Sequence, residues 1–144
     1  MVEQDTVKLL RECDAGSKMA VTSIDEVLHK VKDEGMKSLL KESKDHHAKL
    51  GNEIHSLLNL HETEKKDPSP IAKGMSWMKT NMKMSMDADD SVVADLITDG
   101  CNMGVKSLHR YKNQYPNADG TSKGICDRLI SIEEKLGKDL QKYL

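Results

Sequence analysis

From Leu10 onward, apolar or small residues recur at Leu10, Cys13, Ser17, Ala20, Ile24, Val27 and Val31, in alternating steps of three and four. That spacing keeps one face of an α-helix turned toward a partner and predicts a first helix over about residues 4–33. Gly35 is placed to end it, because glycine takes the left-handed conformation that closes a helix without steric cost. The pattern resumes at Met36, Leu40, Ser43, His47, Leu50, Ile54, Leu57 and His61. A second helix therefore packs antiparallel to the first.

Residues 62–69 carry charge and Pro68 but no periodic apolar position, and read as a linker. A shorter helix is expected from Pro70 to about Met86, with Pro70 in the first turn, where its missing N–H costs little. The carboxylates of Asp87-Ala-Asp-Asp-Ser91 suit the free N–H groups at the start of a third helix. Its seam runs Ala94, Ile97, Cys101, Gly104, Leu108, Tyr111 and Tyr115 until residues 116–120 break it. Thr121 or Ser122 is expected to cap a fourth helix with the inward stripe Ile125, Leu129, Ile132, Leu136, Leu140 and Tyr143. Helices roughly 35 to 45 Å long favour alignment in a bundle over crossed packing.

Composition narrows the picture further. A chain of 144 residues suits one domain, divided into a hairpin over 4–62, a crossover over 63–87 and a hairpin over 88–144. With 32% charged and 37% hydrophobic residues, three prolines and no Phe, the expected class is all-α. Lys plus Arg number 22 against 24 Asp plus Glu, so no global basic field attracts nucleic acid. The N-terminal residues lack a secretion signal and no apolar run reaches membrane-spanning length, which points to a cytoplasmic chain without membrane insertion. Cys13, Cys101 and Cys126 have no CxxC spacing and read as reduced helical thiols.

The two halves echo one another. Cys13-Asp-Ala-Gly-Ser-Lys18 matches Cys101-Asn-Met-Gly-Val-Lys106 at a shift of 88, and Lys49-Leu-Gly-Asn-Glu-Ile54 matches Lys135-Leu-Gly-Lys-Asp-Leu140 at a shift of 86. Duplication of a helical hairpin accounts for both. Gly16 and Gly104 are expected to permit close helix approach. The connection between the hairpins is long enough to span the bundle, so helix three can run parallel to helix two.

In this connectivity, and in the segments Leu9-Leu-Arg-Glu-Cys-Asp-Ala-Gly16, Ala72-Lys-Gly-Met-Ser-Trp-Met-Lys79 and Asp95-Leu-Ile-Thr-Asp-Gly-Cys-Asn-Met-Gly104, the chain resembles the ferritin-like superfamily, in particular a bacterial branch of it. The resemblance implies a four-helix bundle with a short extra helix in a long crossover. It also implies a di-iron centre built from a Glu on helices one and three and Glu-x-x-His on helices two and four. Residues three apart share a helical face, so a carboxylate and an imidazole could hold one metal.

That motif is degenerate here. Helix two offers Glu42 and His46, one residue too far apart, and helix four has Leu136 and Gly137 where His is required. Glu12 and Asp14 flank the seam of helix one. The shift of 86 sets His47 opposite Glu133, the sharpest remnant of a site that would take iron or manganese, or else a hydrogen-bonded structural pair.

Met75, Trp77, Met78 and Met82 give the crossover helix one adaptable apolar face, suited to packing on the bundle or to self-association or a protein partner. Met-x-x-Met spacing could also bind Cu(I), a weaker account. No P-loop, Gly-x-Ser-x-Gly or other catalytic constellation is present. The expected function is a non-catalytic structural or interaction module, with an iron- or manganese-binding oxidoreductase or metal-handling protein as the alternative.

Overall fold

The computed structural model describes residues 2–61 and 89–144. Within them the chain forms α1 (Val2–Leu28), α2 (Glu34–Leu60), α3 (Asp90–Gln114) and α4 (Gly120–Asp139), followed by a 3-10 turn over Gln141–Tyr143. There is no strand among the described residues. The expected crossover helix, with Met75, Trp77, Met78 and Met82, lies outside them.

Local chemistry sets the boundaries. Asp33 accepts the Met36 N–H, Asp89 that of Val92 and Asp119 that of Ser122, so each of α2, α3 and α4 begins on an aspartate cap. Two expectations are thereby corrected. Helix one ends at Leu28 rather than near residue 33, and Gly35 belongs to the first turn of α2 instead of closing α1. Asp119, not Thr121 or Ser122, caps the last helix. The periodicity overran the end of α1 because Val31, although in the turn, folds back into the core and is buried. At 20 residues, α4 spans only about 30 Å, shorter than expected.

Helix directions follow from the ends that touch. The N–H groups of Lys32 and Asp33, in the α1–α2 turn, donate to the Asp90 carboxylate at 2.8 and 2.9 Å, which fixes the start of α3 at that end of the bundle. At the opposite end, the Asn117 and Asp119 N–H groups donate to Asp5 and to the Thr6 hydroxyl of α1, at 3.0 and 2.8 Å. His61, just after α2, lies 3.6 Å from Glu3 at that second end. Thus α2 and α3 point the same way, and the chain leaves α2 and enters α3 at opposite ends.

The reciprocal clasp of turns onto helix starts gives the bundle a pseudo-twofold character. A shift of 86 carries the end of α1 onto the end of α3 and the cap Asp33 onto the cap Asp119. The match at 88 is two residues out of that frame, which on a helix turns a side chain by about 200°. Cys13 and Cys101 are accordingly not equivalent: each is buried, but in a different apolar cluster.

The core is divided along the bundle axis. One cluster, near the α1–α2 turn, gathers Ile24, Val27, Met36, Leu40, Ile97 and Leu136. The other, toward the α3–α4 turn, gathers Leu10, Leu50, Ile54, Leu108, Ile125 and Leu129. Between them lie Ser17, Ser43, His47 and Glu133, the buried polar positions at mid-bundle. Three of these, Ser17, Ser43 and His47, were placed on the seams by the spacing alone. On α4 the stripe needs correction: Glu133 is buried where Ile132 was expected, and Ile132 is only partly buried. Both lie within a turn of Leu129 and Leu136, and the apolar residue was the natural choice from hydropathy alone.

Candidate functional site

His47 is fully buried and Glu133 is 8% exposed. His47 Nδ1 lies 2.8 Å from the Ser43 backbone oxygen, which can only accept, so Nδ1 carries a hydrogen. The Ser43 hydroxyl is 3.4 Å from the same nitrogen. Nε2 then meets Glu133 Oε1 at 3.2 Å across the bundle. With Nδ1–H already committed, that contact needs one further proton, held either as imidazolium donating to carboxylate or as carboxyl donating to imidazole. Both arrangements leave the pair neutral overall, which is how two ionisable groups can lie at mid-core.

The Cys101 thiol of α3 also approaches Glu133; burial first, and the carboxylate second, push it well above the ordinary thiol range. It is an inert thiol rather than a nucleophile. In the other cluster, contact with the Cys126 thiol and burial push Cys13 up as well. All three cysteines are free and buried.

Beside the pair, a cavity of about 320 Å³ opens between α1 and α3. It exists because the facing positions are small: Gly16 and Ala20 on α1, Gly100 and Gly104 on α3. A Cβ built on Gly16 would meet Leu129 at 3.6 Å and one on Gly104 would meet Glu133 at 3.6 Å, both ordinary contacts. The expectation that these two glycines draw helices together is therefore corrected. The tight approach is Gly51 of α2, whose Cβ would come within 3.3 Å of the Ser17 hydroxyl on α1. Gly104→Ala is expected to raise stability by about 0.5–1 kcal/mol through helix propensity, whereas Gly51→Ala is expected to forfeit that gain; urea unfolding of both variants checks the difference.

The polar groups of the cavity include two carboxylates and the hydroxyls of Ser23, Ser107 and Tyr111. His47 and Glu133 form its inner wall, and Glu12 and Tyr111 lie on the α1 and α3 sides. Burial, then the hydrogen bond to Glu12, push the Tyr111 hydroxyl up to about 12, so it stays a neutral donor to that carboxylate. Among the described residues no lysine or arginine lines the cavity.

The remaining candidates do not converge here. Glu42 and His46 are exposed and lie in a separate groove between α2 and α4, with Lys135 and Asp139. Asp14 faces Lys18 at 2.9 Å and His55 at 2.8 Å instead of the cavity. One Glu-x-x-His does occur, Glu26-Val-Leu-His29, but it ends in the α1–α2 turn with His29 exposed. Among the described residues no three His, Cys, Asp or Glu side chains are grouped to hold a metal ion. The donor set does not fit the di-iron centre that the resemblance implies: one His and one Glu meet, both His nitrogens already have partners, and among the described residues no third group completes a metal site with them.

What the spacing missed is the cavity itself and the Glu12–Tyr111 contact on its wall. The signal was a set of small residues at matching heights on helices one and three, which a seam analysis counts as contact positions. Comparison with family models, with curated proteins and with solved structures yields no match. No helix among the described residues is long and apolar enough to cross a membrane.

Proposed function

We propose that the chain is a non-catalytic helical bundle of ferritin-like connectivity, acting in the cytoplasm as a structural or interaction module by binding rather than by metal redox chemistry. The connectivity is supported by the parallel sense of α2 and α3, whose adjoining ends lie at opposite ends of the bundle. The single observation that carries the functional reading is that His47 and Glu133, the ligand remnants at mid-core, satisfy one another and Ser43. A metal would have to displace those hydrogen bonds with no third ligand grouped there among the described residues. The sequence spacing of Met75, Trp77, Met78 and Met82, outside the described residues, supports self-association or a protein partner as the role.

Metal content tests the reading. Protein purified from cells supplied with iron and manganese is expected to carry well below one equivalent of either by elemental analysis. Stoichiometric metal that is lost in His47→Ala would instead establish the alternative, an iron- or manganese-handling protein.

A further inference from the structure

We infer that the cavity between α1 and α3 binds a small amphipathic amine, an apolar body bearing one cationic ammonium group; this rests on the binding-module reading above and gives it a ligand. The volume, about 320 Å³, is at the lower end of ligand pockets and accommodates roughly ten non-hydrogen atoms at ~30 Å³ each. The wall is largely apolar, formed by residues such as Met19, Ile24, Leu129 and Leu136, and suits a hydrocarbon or aromatic body. Met103, 51% exposed, is among the lining residues and presents adaptable apolar surface to an entering molecule.

Charge selects the head group. Two carboxylates, Glu12 and Glu133, face the cavity, and among the described residues no lysine or arginine lines it with them. The Glu133 charge is balanced by the proton it shares with His47, and Tyr111 gives Glu12 a hydrogen bond but no charge. Glu12 is thus left as the anionic acceptor on an apolar wall. An anion entering the site would meet repulsion, and a neutral molecule would bring the half-buried Glu12 no opposite charge. An ammonium group satisfies it with charge-assisted hydrogen bonds.

Three probes sharing one apolar body separate these cases: phenethylamine, phenethyl alcohol and phenylacetate, titrated calorimetrically into the full chain. The amine is expected to bind saturably, about tenfold or more tightly than the alcohol, with phenylacetate silent. Glu12→Gln is expected to remove that tenfold preference while leaving alcohol binding intact. A Cβ on Gly100 meets nothing within 4 Å, so Gly100→Leu can fill the cavity without disturbing the helix. That variant should keep its helical circular dichroism and lose binding of all three probes.

Absence of saturable binding, the result expected if residues 62–88 or a second copy of the chain fill the groove, overturns the inference. So does an alcohol that binds as tightly as the amine, a preference that survives Glu12→Gln, or binding unaffected by Gly100→Leu. Metal analysis of the same preparation keeps the two readings apart. Metal-free protein that ignores the amine leaves the binding-module reading standing and ends this one, whereas stoichiometric metal ends the former.

Discussion

Replacing Glu133 by Leu is expected to destabilise the protein by about 3–5 kcal/mol, and His47→Leu by a similar amount, because each leaves a buried polar partner without its counterpart. Glu133→Leu strands His47 Nε2 in a fully buried position, with Nδ1 still tied to Ser43. His47→Leu strands a carboxylate whose exposure is only 8%. The double variant, His47→Leu with Glu133→Leu, is expected to recover most of the loss. It joins the two apolar clusters that the pair now separates and leaves neither polar group behind. Urea unfolding of the wild type, both single variants and the double variant completes a mutant cycle. A double variant as unstable as the sum of the singles would show that the pair is not the interaction that makes each residue costly to lose. Since a domain of this size is stable by some 5–15 kcal/mol, either single change removes a large fraction of the total.

This pair is also the part of the molecule most legible from the amino-acid sequence. His47 stands on a seam where an aliphatic residue would be expected, and the shift of 86 that aligns the two hairpins sets it against Glu133. A residue near a pseudo-twofold axis touches its own counterpart, so the repeat predicted a contact that neither helix alone could suggest. The all-helical class and the inward faces were legible for the same reason, since burial imposes a 3.6-residue period on the sequence. The end of α1 was not, because Val31 and Met36 keep the period running while the backbone between them turns.

The cavity was hidden more deeply. Gly16 and Gly104 announce small side chains, but smallness is compatible with two helices closing or with a void between them. Packing elsewhere decides the matter. α1 is held to α2 at the tight Gly51–Ser17 contact, while Gly137 of α4 packs on Cys101 of α3 in ordinary contact. With each hairpin closed on itself in this way, α1 and α3 stay apart at mid-height, and their small residues line the cavity between them. The apparent repeat at a shift of 88 misled in the same region, since it matched residue types without matching the helical phase.

The second large effect concerns what the cavity does to the cost of core truncation. Leu40→Ala, in the cluster near the α1–α2 turn, is expected to cost about 3–5 kcal/mol, because Leu40 has no exposed surface and does not line the cavity, so deletion leaves a sealed void. Leu129 is as deeply buried, at 1% exposure, but its side chain forms part of the cavity wall. Leu129→Ala therefore enlarges a space that already opens between two helices. Less contact is lost on that side, and the expected cost falls to about 2–3 kcal/mol. The comparison is read from the unfolding midpoints of the two variants at equal m-value. Equal costs would mean that the cavity is closed in solution and that Leu129 is packed on every side. The contrast extends to Leu129→Phe, which has room to project into the cavity where an enlarged residue at position 40 has none. It is expected to leave stability within about 1 kcal/mol of wild type, whereas Leu40→Phe overpacks a full core and loses about 1–3 kcal/mol.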